Sequence, residues 1–367
     1  MVKVVVLAGG FATRLRPLTL TRPKPLLPIL DKPLLDWIID SLREAGLEDI
    51  ILSLRYLSHL IKARYGSGID YGVSIKYVEE HRPLGDAGPI RLVGENIGLD
   101  ETFLVVYGDI FSNIDYKKLL DFHKKKGGLA TIVLTKVEDP SRYGVAVLDE
   151  ESKITGFVEK PEPGKAPSNM INAGVYVFEP EVVKYIPEKA PSKLAKHVIP
   201  RLVAEGQVYG YVHEGLWSDI GVPADYYRAN IEALKYLHPR GYVSGNARID
   251  ESVIVEHPSF ISDNVVVKKG SKIGPYTILG MNTVLGENVR VRGSILFPHV
   301  MVENSAVIRS SIVGERCFIG KWARLEEWSI IGDEVVIDEE VLIARRVIIL
   351  PFKEVNVSVY EEGRVIL

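Results

Sequence analysis

Two glycines, four cations and three prolines crowd into residues 9–25, "GGFATRLRPLTLTRPKP". A bare backbone turn followed by fixed cations is one way to hold a polyphosphate. Glycines let N–H groups approach phosphate oxygens, and the cations neutralise them. Pro23 and Pro25 stiffen the backbone on either side of Lys24, so its ammonium projects from a rigid segment suited to charge stabilisation. The spacing matches neither G-x-G-x-x-G nor G-x-x-x-x-G-K-[ST]. On spacing alone, a solvated surface turn accounts for these residues equally well. Asp109 closes the apolar run "FLVVYGD", and Asp219 lies in "WSDIG". Two carboxylates with substrate phosphate oxygens would suit Mg²⁺. Either one alone also fits a turn former or helix cap, and spacing does not bring the two together.

The elements that must position these residues are legible. "VKVVVLA" is a continuous apolar, β-branched run, as in a strand buried on both faces. "LLDWIIDSLREAGL" has helical spacing and stops at Gly46, and "DIILSL" reads as the next strand. Further strand candidates are "TFLVVYGD", "LATIVLTKV", "YGVAVLD" and "GVYVFEP". The alternation predicts a mainly parallel, three-layer α/β sheet with right-handed crossovers. "PADYYRANIEALKYL" reads as a closing helix with Pro223 in its first turn. The predicted layout is a first domain over 1–232, a linker at 233–242 and a second domain over 243–367.

The second domain has a different texture. Stepping by six from Ile249 meets Val255, Ile261, Val267, Ile273, Leu279, Leu285 and Val291, all aliphatic. Restarting at Ile295 gives Met301, Val307, Val313, Ile319, Leu325, Ile331, Ile337, Ile343 and Ile349. The pattern predicts one register slip of two residues near "GSILFPH". Small residues such as Ser259, Ser271, Thr277, Ser305, Ser311, Cys317 and Ser329 sit two positions before these aliphatics, as tight corners need. A hexapeptide period is the sequence mark of a parallel β-helix, here of about six coils.

Composition narrows the partners. The 367 residues suffice for two cores. A net charge of −3 gives no global reason to expect nucleic acid or an anionic membrane. No apolar run has the length of a membrane span, and the start lacks the pattern of a signal peptide. The single cysteine, Cys317, excludes an internal disulfide, fits a small core residue and suggests a reducing, cytoplasmic setting.

Taken as an ordered set, the motifs resemble those of the sugar-phosphate nucleotidyltransferases. "LAGGFATRLRPLTLTRPKPLLPI" resembles the family signature G-G-x-G-T-R-L-x-P-L-T ending in P-K-P. "PLGDAGP" (83–89), "YGD" (107–109), "YGVAV" (143–147), "FVEKP" (157–161), "NAGVYVF" (172–178) and "WSDIGVP" (217–223) follow in the family's order. The resemblance covers almost the whole chain and is nearest to the mannose-1-phosphate guanylyltransferase branch. It implies a Rossmann-like three-layer catalytic domain followed by a left-handed parallel β-helix of hexapeptide repeats.

The resemblance also implies roles. Arg14 and Lys24 would grip the triphosphate and stabilise charge on departing pyrophosphate. Leu7, Ala8, Gly9, Gly10 and Thr13 would line the nucleotide, with Gly85 and Glu80 near the base, where a carboxylate could accept from guanine N1 and N2. Asp109 and Asp219 would hold Mg²⁺. Gly144, Glu159, Lys160 and Asn172 would meet the sugar phosphate, Lys160 on the phosphate and Glu159 on sugar hydroxyls. The implied reaction joins an NTP, GTP at best, to a hexose 1-phosphate, mannose 1-phosphate at best. Alternatives are uridylyl, thymidylyl or adenylyl transfer to glucose 1-phosphate, or a regulatory subunit that senses sugar nucleotide without turnover. A second, acyl-transferring site on the β-helix would have to use His257 or His299. A homo-oligomer formed through the β-helix is expected.

Two positions depart from the family. Ala12 replaces a glycine in the signature loop, and Asp86 replaces a threonine. Because the rest of the motif is intact, Ala12 is expected to keep a negative φ.

Overall fold

The computed structural model describes residues 2–367. Its contacts divide the chain into two compact units, one running to Phe11 and resuming over Leu34–Asp219, the other built from Ala12–Pro33 and Ile220–Leu367.

The first unit is organised by a nine-stranded sheet. Lys3–Leu7 pairs in parallel with Asp49–Leu54 on one side and Phe103–Tyr107 on the other, and Asp49–Leu54 continues in parallel to Ser74–Glu79. Val4, Val5 and Val6 are fully buried, as the continuous apolar run requires of a strand covered on both faces. The helix Leu34–Glu44 buries Leu34, Leu35, Ile38, Ile39 and Leu42, and Gly46 follows with φ 79°, the left-handed conformation that stops it.

The expectation of a mainly parallel sheet holds for this N-terminal half and for the pair Ala130–Lys136 with Val208–Val212, but the rest is antiparallel. Met170–Phe178 runs antiparallel to Phe103–Tyr107 and to Ala130–Lys136, and Gly144–Leu148 pairs antiparallel with Ile154–Glu159. For the last of these pairs the reason is connection length: the few residues between Leu148 and Ile154 can close a hairpin but cannot make a parallel crossover.

In the second unit the helix Pro223–Leu237 runs through residue 232 and into the stretch expected as linker. Beyond it, short parallel strands stack into three faces of eight, seven and six strands. This is the β-helix that the six-residue step implies. The aliphatic ladder fills its interior: Val267, Ile273, Leu279, Leu285, Val291, Ile319, Leu325, Ile331 and Ile337 are all buried.

The register change differs from the expected single slip. The inward ladder passes from Val291 to Leu296, Val302 and Ile308, and only then to Val313. Two separate contractions of one residue replace one slip of two. Because strand side chains alternate faces, a one-residue shift turns the neighbour outward. Met301 is therefore 49% exposed while Val302 is 3% exposed, and Ile295 and Val307 also point away from the interior. Ser305 likewise leaves the expected small-residue position to Ala306 and becomes a left-handed corner, φ 60°.

One outer face of the β-helix is apolar and covered. Phe260, Ile278, Ile295 and Ile312 are buried there although they point away from the coil interior. Tyr226 of the helix packs edge-on against Phe297 at 6.0 Å, and Tyr227 meets Trp328 at 5.3 Å. The Ala12–Pro33 segment belongs to the same packing: Asn230 Oδ1 accepts from Leu30 N–H at 2.8 Å, and the Tyr226 hydroxyl donates to Pro28 O at 2.5 Å.

Candidate active site

The glycine turn opens at the C-terminal edge of the parallel strands, where open α/β sheets place ligands. Ala8 N–H donates to Ser53 O and Gly108 N–H donates to Leu7 O, both at 2.9 Å, so the turn is held against the start of the Gly108-Asp109 segment. A Cβ at Gly9 would lie 2.5 Å from Glu80 Oε1, so a side chain there would displace that carboxylate. At Gly10 nothing would obstruct a side chain. Glu80 is 8% exposed and accepts from Ser53 Oγ at 3.2 Å, and burial raises its carboxyl above the usual range. Phe11 is exposed beneath the Arg55 guanidinium, 4.2 Å from its ring centre.

The segments that carry Asp109 and Asp219 are brought together by strand pairing. The strand Trp217–Asp219 pairs antiparallel with Ile110–Ser112, and the register sets Asp219 opposite Ile110, the residue after Asp109. Both are half-buried. Trp217 Nε1 donates to Ala173 O at 2.9 Å and its ring packs edge-on with Tyr143 at 5.7 Å. This carboxylate edge is thereby fixed to the segments that carry Gly144 and Asn172. Among the described residues, no three His, Cys, Asp or Glu side chains cluster to hold a metal.

The four sugar-side candidates are also brought together. Gly144 is paired with Glu159, and a Cβ at 144 would sit 3.1 Å from Glu159 Oε2 and 2.5 Å from Phe157. Lys160 follows in the left-handed conformation, φ 49°, its N–H donating to Tyr143 O at 2.9 Å and its side chain exposed. Ile171 pairs with Val145, which sets Asn172 beside Gly144. The Asn172 amide donates to the Tyr176 hydroxyl at 2.6 Å, and its carbonyl accepts from Gly174 N–H at 3.1 Å.

Asp86 has a structural task. One carboxylate oxygen accepts from the Tyr107 hydroxyl at 3.1 Å and the other from Leu194 N–H at 2.7 Å. Tyr107 lies 3.3 Å from the Tyr176 hydroxyl, so a polar chain runs from Asp86 through two tyrosines to Asn172. Burial holds both phenols protonated. Gly85 has φ 85°, and a Cβ there would strike Ser192 O at 2.0 Å, so no other residue fits. The two tyrosines were not singled out from sequence; the available signal was Tyr107 inside "YGD" and Tyr176 inside "NAGVYVF".

In the second unit, Thr13–Leu15 and Lys24–Leu26 are short helical turns. Arg14 and Thr13 are exposed and Lys24 is half-buried. Ala12 overturns its expectation: φ is 47° and ψ 42°, the left-handed region. For a residue with a Cβ this costs roughly 1–2 kcal/mol. The offset missing from the sequence is local, because Ala12 O accepts both from Leu15 N–H at 3.0 Å and from the Thr19 hydroxyl at 2.9 Å. Buried Leu15 and Leu18 anchor the same loop. Ala12→Gly is therefore expected to stabilise, by about 0.5–1 kcal/mol after the unfolded-state entropy of glycine is subtracted. Denaturant titration measures this, and a destabilised variant would contradict it.

Residues 3–235 match the Nucleotidyl transferase family. The chain belongs to that family. Residues 255–366 of this nucleotidyltransferase match the GMPPB C-terminal domain. It is similar to the mannose-1-phosphate guanylyltransferase of Mycobacterium tuberculosis, 35% identical over 309 residues covering 84% of this chain and 83% of the relative. The mannose-1-phosphate guanyltransferase of Candida albicans is 37% identical over 359 residues, covering 83% and 98%. Among solved structures, HddC from Yersinia pseudotuberculosis complexed with GMP-PN aligns with a TM-score of 0.53 at 29% identity, covering 63% of this transferase and 98% of that chain. No helix among the described residues of the transferase is long and apolar enough to cross a membrane.

Proposed function

We propose that this nucleotidyltransferase joins GTP to mannose 1-phosphate, forming GDP-mannose and pyrophosphate. The observation that carries the reading is the strand pairing of Asp219 with Ile110, the neighbour of Asp109, which joins the two acidic segments and is fixed to the segments bearing Gly144 and Asn172. The relatives named above support the choice of base and sugar. In this reading the sugar phosphate oxygen attacks the α-phosphorus in line, with no covalent enzyme intermediate. Arg14 and Lys24 neutralise the triphosphate as charge builds on the leaving pyrophosphate. Leu7, Ala8, Gly9, Gly10 and Thr13 line the nucleotide, and Gly85 and Glu80 lie towards the base. Lys160 binds the sugar phosphate, while Glu159, Asn172 and the open surface at Gly144 receive the sugar.

Asp109 and Asp219 would hold Mg²⁺. Two half-buried carboxylates without a third acidic or imidazole ligand fit an ion that keeps waters and takes its remaining ligands from substrate phosphate. Bound there, Mg²⁺ would neutralise charge on the phosphates.

The experiment is pyrophosphate release over a matrix of GTP, UTP, dTTP and ATP against mannose and glucose 1-phosphates. GTP with mannose 1-phosphate is expected to give the highest kcat/KM. A best pair of UTP or dTTP with glucose 1-phosphate would overturn the substrate assignment.

The partner reading is a homo-oligomer through the β-helix. One outer face carries a stacked column, Arg248, Val266, Val284, Met301, Phe318, Val336 and Glu354, in continuous register. Its five middle residues are apolar; Met301 is 49% exposed and the other four are partly exposed. The column is about 29 Å tall at roughly 4.8 Å per rung. A two-fold axis at Met301 reverses the column, which sets Arg248 against Glu354 of a second copy. The same operation sets Lys268 against Asp338 at the coil corners. This face is self-complementary in charge and apolar at its centre, as an isologous interface requires. Met301→Glu, which places like charges on the axis, is expected to give monomer by light scattering at micromolar concentration. A monomeric parent protein would defeat the reading.

A further inference from the structure

We propose that Glu315 and Asp333, on neighbouring coils of the β-helix, are positioning residues for nucleotidyl transfer, acting on Lys24 through their grip on Arg22. The inference rests on the reading of Lys24 given above.

The contacts are specific and buried. Arg22 Nη2 lies 3.0 Å from Glu315 Oε2 and 2.5 Å from Asp333 Oδ2, with the three side chains 15%, 23% and 6% exposed. The Thr21 hydroxyl donates to the same Asp333 oxygen, and the guanidinium lies 5.2 Å from the centre of the Phe297 ring. Asp333 is not free to swing, because its other oxygen accepts Glu315 N–H at 2.8 Å and so is tied to the stacked coils. The grip is thus referenced to the stacked coils.

The path from the grip to Lys24 is one residue long, and that residue is proline. Pro23 fixes its own φ at −71°. Leu26 N–H donates to Pro23 O at 2.9 Å and Leu27 N–H to Lys24 O at 3.0 Å, closing the turn that begins at Lys24. With Arg22 fixed, little backbone freedom remains to move the ammonium.

Stability alone does not explain the arrangement. Buried ion pairs must recover a large desolvation cost, and well-packed apolar residues often do as well or better. Here Arg22 Nε is buried without a hydrogen-bond partner among the described residues, a further cost. What an ion pair adds over a greasy contact is a defined geometry. The carboxylates are also 293 and 311 residues from the arginine they hold, so the β-helix becomes part of the transfer machinery as well as a scaffold.

The test is a double-mutant cycle on the full chain, with pyrophosphate release at saturating substrates, after circular dichroism and light scattering confirm folding. Asp333→Asn, which keeps shape and removes charge, is expected to lower kcat by about tenfold to a hundredfold, the scale on which misplacement of a catalytic group acts. In a Lys24→Ala background the same change should cost less than about twofold, because the group it positions is gone. If Asp333→Asn fails to fold, Glu315→Gln leaves the shorter Arg22–Asp333 contact in place and should show the same non-additivity with a smaller loss. A lower Tm with unchanged kcat, or losses that simply multiply, would overturn the inference. Normal turnover by Lys24→Ala alone would overturn the reading of Lys24 and the inference with it.

Discussion

Asp219→Asn lowers kcat by about 10²-fold or more at saturating substrates, and Asp109→Asn does the same, the scale of losing one preorganised electrostatic group. The substitution keeps size and most hydrogen bonding while removing charge. The two changes should not multiply if both carboxylates serve one ion, as proposed for these neighbouring segments. Steady-state pyrophosphate release at varied Mg²⁺ checks this, and the apparent affinity for Mg²⁺ should fall along with kcat. An Asp219→Asn enzyme with normal turnover and normal Mg²⁺ dependence would sink the two-carboxylate assignment.

Lys160→Ala raises KM for the hexose 1-phosphate by roughly thirtyfold, about 2 kcal/mol, as for a lost charge-assisted hydrogen bond. The side chain is exposed, so no desolvated partner is stranded by its removal and the fold should be unaffected. Alanine is a clean replacement for a second reason. Lys160 sits at φ 49°, and alanine tolerates that conformation no better and no worse than lysine. KM for the nucleotide should stay within about twofold. A variant that instead loses nucleotide affinity would move Lys160 to the other substrate.

Ala12 shows how a motif can hold and still mislead about its backbone. An intact flanking sequence suggested an unstrained loop, yet the residue is left-handed. The loop keeps a conformation suited to glycine, and its carbonyl takes two hydrogen bonds that offset the strain. That positive φ, like the Asp86 departure, is a feature that would favour a sensor without turnover. The family membership and the intact Arg14, Lys24, Asp109, Lys160 and Asp219 favour an enzyme.

What the sequence by itself determined was periodic or local. The valine run made the central strand, and the six-residue step made the β-helix, because each pattern states directly which side chains face a core. Gly85 and the ordered motifs were legible for a related reason, since each needs a residue type that few alternatives satisfy. Tertiary structure alone decided the rest. The two single-residue contractions at Leu296 and Val313 were invisible because both outer and inner positions there are aliphatic, so hydrophobicity could not tell Met301 from Val302. The antiparallel pairings of Met170–Phe178 depended on which strands found each other, which no strand encodes alone. The pairing of Asp219 with Ile110, the neighbour of Asp109, and the meeting of Arg22 with Glu315 and Asp333 join residues over a hundred positions apart. Such pairs carry no local signal, because what fixes them is the shared register of a folded sheet and a stacked coil.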